Sequence, residues 1–249
     1  MFANSNAIQD LIERIPLFQN LDHSIVKEIS DRLQPLRYRM GQIILRRETM
    51  PAQVLFLWEG QARLLVQIPK ATSPRTLETL KTGAVIGWAS LIRDLPCETA
   101  IASVESTFLS LEATDFLQLC DRYPTFKKAF ISQVSPAEVF DLFAIEMDRR
   151  AQSPKDFIEQ ARNAWQDARV LTLPAGKNSI PPLDPDFVWL VSSGQNITIP
   201  LGTRVEPNRT VFEIPESSYL RLIGLRDDFA VATEIVTELL AHPTAFDIP

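Results

Sequence analysis

The stretch Gly83 to Ser103 reads GAVIGWASLIRDLPCETAIAS, and it decides how the rest of the chain is interpreted. Gly83 and Gly87 precede a short helical pattern over 88–93, which a sharp turn at 94–96 ends. A β-branched strand pattern over 99–104 follows. One helical turn within a series of strands predicts a loop raised out of a barrel, and the backbone N–H groups at the start of such a turn can hold an anion.

The segments before this stretch predict antiparallel strands. Leu36, Tyr38 and Met40 alternate with polar residues, and short apolar runs then recur about every ten residues, over 42–45, 54–58 and 62–68. Regularly spaced short strands between turn residues are typical of a β sandwich or jelly roll. The predicted fold class is therefore mainly β with flanking helices.

Helical periodicity flanks the predicted strands, over 6–33, 115–123 and 126–147, with Pro136 as a kink or restart in the last of these. The predicted helix over 126–147 carries Phe130, Phe140 and Phe143 on more than one face. One barrel covers one face of a helix, so a second cover is expected. Either a partner, such as a second copy or a membrane transporter portion, or the C-terminal half of this chain could supply it.

Two segments of the central stretch resemble the phosphate-binding cassette of cyclic-nucleotide-binding domains. They are 86–91 (IGWASL) and 96–100 (PCETA), and the wider resemblance covers roughly residues 10–150. The resemblance implies a cyclic-nucleotide-binding-like jelly roll with a ligand site in this loop. The candidate site residues are Gly87, Trp88, Ala89, Ser90, Pro96, Cys97, Glu98 and Thr99.

The residues that would hold the ligand differ from the family pattern. The glutamate that accepts from the ribose hydroxyl falls on Trp88, and the arginine that pairs with the cyclic phosphate falls on Cys97, with Glu98 beside it. Charge-assisted hydrogen bonds contribute about 1.5–3 kcal/mol each, so losing both removes roughly 3–6 kcal/mol. A cyclic nucleotide is therefore disfavoured as a cofactor. Trp88 either fills the vacated space or offers a stacking surface.

The polar run 148–154 predicts a boundary between a domain over 1–150 and a second one over 155–249. The second segment resembles a shortened repeat of the first, because 188–195 parallels 54–61 and 219–229 parallels 108–116. The interval 203–217 holds no glycine-led helical turn. We therefore expect a reduced second barrel without a cassette, ended by a closing helix over 230–240.

Composition excludes several classes of function. The net charge of −6 and the pI of about 5.1 argue against a nucleic-acid binder. Only two histidines, His23 and His242, are available, so that no metal site is expected and an enzyme is disfavoured. Two cysteines without a pairing framework, no signal sequence and no apolar run long enough to cross a bilayer predict a cytoplasmic location without direct membrane insertion.

The predicted function is a non-catalytic regulatory or protein-interaction module. The segments 86–88, 91–93, 96–100 and 191–194 are similar to the N-terminal domains of some bacterial peptidase-containing ABC exporters. That resemblance implies the cytoplasmic regulatory part of a peptide or protein secretion system, with the transporter portion of a longer chain as partner. The alternative is a sensor that binds a cyclic nucleotide or another small anion in an altered cassette.

Overall fold

A computed structural model describes residues 5–69, 71–193, 199–205, 212–216 and 218–227. Helices flank and follow a set of strands in the order that the sequence predicts. The helices are α1 (Ser5–Arg14), α2 (His23–Arg32), α3 (Trp88–Arg93), α4 (Ala113–Arg122), α5 (Pro124–Ile131), α6 (Pro136–Arg149) and α7 (Phe157–Asp167), with a 3₁₀ turn at Pro16–Phe18.

The strands fall into an N-terminal group of eight and a C-terminal group of five within the described ranges. The first group is β1 (Gln34–Tyr38), β2 (Ile43–Leu45), β3 (Gln53–Glu59), β4 (Ala62–Val66), β5 (Arg75–Leu80), β6 (Val85–Ile86), β7 (Thr99–Ala102) and β8 (Ser106–Glu112). The second group is β9 (Arg169–Leu173), β10 (Gly176–Asn178), β11 (Phe187–Val191), β12 (Phe212–Ile214) and β13 (Leu220–Arg226).

The N-terminal strands form two antiparallel sheets with the orders β1-β8-β3-β6 and β2-β7-β4-β5. Side chains alternate between the faces of a strand, and in β3 both faces are covered. Leu55 and Leu57 point into the space between the sheets, whereas Val54 and Phe56 join the core beneath the helices. This arrangement confirms the predicted fold class, a β jelly roll with flanking helices.

A cluster of phenylalanines fixes the helices on the outer face of the sheet. Phe116 of α4 lies 4.9 Å from Phe130 of α5 between ring centroids, and Phe18 of the 3₁₀ turn lies 5.7 Å from Phe130. Most of these ring pairs are tilted or edge-on, which is the geometry that aromatic quadrupoles favour. The base of the cassette therefore rests on a rigid apolar layer.

The helix predicted over 126–147, with a kink or restart at Pro136, is two helices, α5 and α6, and of the two alternatives the restart is the one observed. The chain leaves helical geometry over 132–135 and starts again at Pro136, which occupies the first turn of α6. Proline is tolerated there because an N–H in the first turn has no partner inside the helix. The Ser135 N–H donates to the Glu138 side chain, 3.3 Å away, and so caps the new helix.

The C-terminal strands pair in the same order as their N-terminal counterparts. The sheet β9-β13-β11 has the order of β1-β8-β3, and the pair β10-β12 has that of β2-β7. The two sequence matches, 188–195 with 54–61 and 219–229 with 108–116, fall on β11 with β3 and on β13 with β8. Between β11 and β12 the described residues, 192–193 and 199–205, contain no helix. The predicted closing helix over 230–240 lies outside the described residues.

The two groups of strands share one of the three apolar clusters of the described chain. Leu190, Ile223 and Leu225 of the C-terminal sheet pack into the same apolar cluster as α6 and the cassette helix α3. Phe157 of α7 joins the cluster beside α6. The division at 150–155 stays a prediction, but the structure places the second sheet directly against the functional loop. No helix in the described part of the chain has the length and apolarity needed to cross a bilayer.

Candidate functional site

The cassette has the backbone that its glycines predict. β6 ends at Ile86, Gly87 takes φ of +87°, and α3 begins at Trp88. A Cβ at Gly87 would lie 2.6 Å from the carbonyl oxygen of Gln53, so that both the positive φ and the close approach require glycine. Asp94, with φ of +54°, ends the helix, and the chain then enters β7.

The N–H of Gly87 donates to the chain's own carboxylate. Glu98 Oε2 accepts this bond at 2.9 Å, and the Glu98 residue is 4% exposed. Burial raises the pKa of Glu98 to about 7, against the lowering effects of the Gly87 N–H and of Arg93. An acidic side chain therefore takes a cassette amide that would otherwise face a ligand.

Trp88 lies where the resembled family has a carboxylate. The residue is 7% exposed, and its ring lies 5.7 Å from that of Phe130 between centroids. Its ring also forms part of a cavity wall, described below. Of the two roles left open by the sequence, the buried contact with Phe130 supports space filling, while the cavity-facing part of the ring leaves room for stacking.

Cys97 is buried behind the cassette, and its thiol is neutral. Its N–H donates to Ser90 Oγ at 3.2 Å, and its Sγ lies 3.4 Å from the same oxygen. Burial raises the pKa of the Cys97 thiol to about 12, so that the thiol stays protonated at neutral pH. Cys97 therefore supplies no positive charge for a phosphate.

The remaining predicted site residues frame the loop. Ala89 and Ser90 are buried in α3, Pro96 is half-buried in the turn, and Thr99 Oγ1 accepts from the Arg47 N–H at 3.3 Å. The structure thus brings Gly87 and Glu98 into direct contact and places Trp88 and Glu98 at one cavity. Ala89, Ser90 and Cys97 lie behind the loop and do not line that cavity.

Sequence reasoning missed Arg93, the last residue of α3. It is 1% exposed, and its Nε donates to the Ser192 carbonyl oxygen at 3.2 Å. The Arg93 Nε lies 3.8 Å from Glu138 Oε1, and the Arg93 Nη1 lies 3.7 Å from Asp141 Oδ2. The sequence signal is a single charged residue at the end of a six-residue helix that is otherwise uncharged. This signal could not predict a hydrogen-bond partner 99 residues later in the chain.

Glu138 of α6 joins the cassette to the second sheet. Arg221 of β13 is fully buried and donates to both Glu138 oxygens, at 2.7 Å through Nε and 2.9 Å through Nη2. Ser192 Oγ donates to Glu138 Oε1 at 2.6 Å. Burial alone would raise the pKa of Glu138, but the charge and hydrogen bonds of Arg221 lower it below its usual value.

A second bond ties the same sheet to the cassette helix. The hydroxyl of Tyr219 donates to the Ile92 carbonyl oxygen, one of the orphan acceptors at the C-terminal end of α3. Together with the Arg93–Ser192 bond, this contact means that the C-terminal part holds the end of the cassette helix by direct hydrogen bonds. The position of the cassette is therefore set by protein groups.

A cavity of about 300 Å³ lies over the cassette. Its floor comes from β4, β5 and β6, and the 132–135 linker and Trp165 of α7 form its other walls. The exposed residues Pro16 and Gln133 mark its mouth. It is lined by Ile15, Pro16, Leu17, Leu64, Glu78, Leu80, Gly83, Val85, Ile86, Trp88, Glu98, Gln133, Val134, Ser135, Pro136 and Trp165.

The three phenylalanines predicted to form an interaction helix are covered within the chain. Phe130 belongs to the phenylalanine cluster on α5, and Phe140 and Phe143 of α6 pack on Phe157, with ring centroids 5.6 and 5.0 Å apart. Of the two covers considered from the sequence, the C-terminal half is the one observed for Phe140 and Phe143, whereas Phe130 is covered by rings of the N-terminal half. These side chains offer no exposed contact surface, which corrects the prediction that they face a partner.

Comparison with known proteins agrees with this geometry. Residues 35–123, which contain β1 to α4 and the whole cassette, match the family model of the cyclic nucleotide-binding domain. This part of the chain has the cyclic nucleotide-binding fold. Cyclic nucleotide-binding domains are regulatory and non-catalytic.

A curated relative of this chain is a cyclic nucleotide-gated potassium channel of Rhizobium etli. It is 29% identical over 147 residues, which is 59% of this chain and 36% of the channel. The match thus spans about a third of that relative's length. The relative is a channel and lends no support to the predicted exporter context.

Solved structures with this fold were also found. A cyclic nucleotide-binding domain from Methylobacillus flagellatus is 21% identical, with a TM-score of 0.43 over 50% of this chain and 70% of its own. The regulatory domain of Toxoplasma gondii PKA, solved with cAMP, is 11% identical, with a TM-score of 0.46 over 89% of this chain and 88% of its own.

Proposed function

We propose that this chain is a non-catalytic regulatory module of the cyclic nucleotide-binding fold whose cassette is held by its own residues and does not respond to cyclic nucleotides. The observation that carries the proposal is the Glu98 carboxylate on the Gly87 N–H. A cyclic phosphate approaching this loop would meet a buried acid, Glu98, directly beside the position, Cys97, where the resembled family has its arginine. The arginine of the cassette helix, Arg93, is buried and donates through Nε to the Ser192 carbonyl oxygen, directly after β11.

In this proposal, the C-terminal part of the chain holds the cassette in one position, as a bound ligand would in a ligand-gated module. In a ligand-gated module, a bound nucleotide would fix the loop and the helices that follow it. Here Tyr219 holds the end of α3, and Arg221 holds α6 through Glu138. The loop and α6 are thus fixed together without a ligand. Signals would reach the module through whatever contacts its outer surface, with a protein or a transporter portion of a longer chain as partner.

The competing proposal is a sensor of cyclic nucleotides or another small anion. It requires Glu98 to leave the Gly87 N–H or to be neutral, and it still lacks the carboxylate and guanidinium contacts that fall on Trp88 and Cys97. The exporter context and the cytoplasmic location are further parts of our proposal that the cassette chemistry does not address. A second copy of the chain as partner and the lack of nucleic-acid binding also stay predictions.

We expect no binding of cyclic AMP or cyclic GMP in titration calorimetry at ligand concentrations up to about 1 mM, since roughly 3–6 kcal/mol of contacts are missing. A thermal melt in the same buffer shows that the chain is folded and gives a second readout. A ligand present at 100 times its dissociation constant would stabilise the chain by about 2.7 kcal/mol. A dissociation constant in the low micromolar range for either nucleotide contradicts the proposal. So does a melting temperature that rises when either nucleotide is added.

A further inference from the structure

The cavity over the cassette has an apolar wall with two indole rings. Trp88 and Trp165 both line it, together with aliphatic side chains such as Leu64 and Val85. The Trp165 Nε1–H donates to the Val134 carbonyl oxygen at 2.9 Å, which fixes the orientation of that ring. At about 300 Å³, the cavity has the size of a small ligand pocket.

The charged groups of the cavity have one sign. Glu78 and Glu98 are the ionisable residues of the lining, and no lysine, arginine or histidine is among the described residues that form it. Arg93 lies outside the lining. Two acidic side chains in a partly dry site disfavour an anion and favour a positive or hydrogen-donating group, since bringing a cation near Glu98 also favours its ionised form.

The carboxyl groups of Glu78 and Glu98 can each accept further hydrogen bonds. Glu98 accepts its one hydrogen bond in the described structure through Oε2, from Gly87, and its Oε1 has no donor there. The Glu78 side chain has neither a hydrogen bond nor an ion pair with any residue of the described ranges, while its backbone belongs to the β4–β5 ladder. A carboxylate offers about four acceptor sites, so a donor group in the cavity would complete the pair.

From this juxtaposition we propose that the cavity binds a small organic cation with an apolar aromatic body, its amine directed to Glu78 and Glu98 and its ring placed between the indoles. Aromatic faces attract cations as well as rings, so the wall and the acids favour the same ligand class. This inference rests on the proposed function, since it takes the cavity to be closed to cyclic nucleotides.

Tryptamine and indole-3-propionate are matched probes, because they share the ring and differ in the sign of the side-chain charge. In calorimetry on the full chain at pH 7, we expect tryptamine to bind with a dissociation constant between about 10 μM and 1 mM, and the propionate at least about tenfold more weakly. Equal or tighter binding of the propionate, or no heat from tryptamine at 5 mM (about five times the weaker limit), overturns the inference.

Variants locate the binding. Glu78→Gln combined with Glu98→Gln should weaken tryptamine binding by about tenfold or more and remove the preference for the cation. Glu59→Gln, an exposed strand glutamate outside the lining, should change neither value. Val134→Trp should fill the cavity and abolish binding, whereas Val104→Trp at an exposed position should not. Binding that survives Val134→Trp, or a double glutamine variant that keeps the cation preference, counts against this site.

Cyclic AMP in the same experiment separates the two proposals. If neither cyclic AMP nor tryptamine binds, the ligand inference fails and the proposed function stands. If cyclic AMP binds with micromolar affinity, the proposed function fails whatever tryptamine does. Tryptamine binding without cyclic AMP binding is the result expected from both.

Discussion

Arg221→Met is expected to destabilise the folded chain by about 3–5 kcal/mol, because it removes one partner from a fully buried ion pair. Glu138 would keep the Ser192 hydroxyl bond but lose both hydrogen bonds from Arg221. Arg93 lies 3.8 Å away and does not replace them. Urea unfolding at pH 7, followed by circular dichroism, measures the change in free energy.

The matched control for this variant is Arg226→Met in the same strand. The Arg226 side chain is 52% exposed and lies 3.6 Å from Asp167, so its removal should change the free energy of unfolding by less than about 1 kcal/mol. A loss below 1 kcal/mol for Arg221→Met itself would show that the pair does not hold the C-terminal sheet on α6.

Glu98→Gln is expected to make the chain more stable than the wild type at pH 8, by on the order of 3 kcal/mol. Burial raises the pKa of Glu98 from the usual 4.5 to about 7 in the folded chain. The acid therefore favours folding when it is protonated. Its contribution is full below pH 4.5, falls as pH rises from 4.5 to 7, and is lost above pH 7. Glutamine has no charge to desolvate and still offers an oxygen to the Gly87 N–H.

The quantity to measure is the difference between the two unfolding free energies from pH 5 to 8.5, since other carboxylates titrate in the same window. That difference should grow by about 1.4 kcal/mol per pH unit up to pH 7 and then level off. Glu105→Gln on the exposed surface is the control and should follow the wild type. Two parallel curves for Glu98→Gln and wild type would mean that Glu98 is not a buried acid.

Much of the fold could be predicted from local sequence. The period-two runs place β3 and β4 correctly, and the glycines of 83–87 predict the loop because positive φ and close backbone approach leave little alternative. The matches of 188–195 with 54–61 and of 219–229 with 108–116 fall on corresponding strands, β11 with β3 and β13 with β8. These features depend on residues close together in the chain, where pattern and geometry are directly linked.

The remaining features of the site depend on contacts between distant segments. The sequence showed Glu98 beside Cys97 but not that its carboxylate turns back to Gly87. No partner for Arg93 could be predicted, because the Ser192 carbonyl is a backbone group in the loop directly after β11. The sequence also could not predict which segment buries Phe140 and Phe143. Their apolar character indicates that they are buried, but it does not indicate which segment packs on them.

The Gly87 amide tests the central claim most directly, because this N–H is the group that either the chain or a ligand must occupy. Its ¹H–¹⁵N resonance can be followed in the wild type before and after addition of cyclic AMP. We predict that the amide shifts with pH as Glu98 titrates near pH 7, and that a large molar excess of cyclic AMP leaves it unchanged. An amide that is insensitive to pH but moves to a new position as cyclic AMP is added would contradict the account.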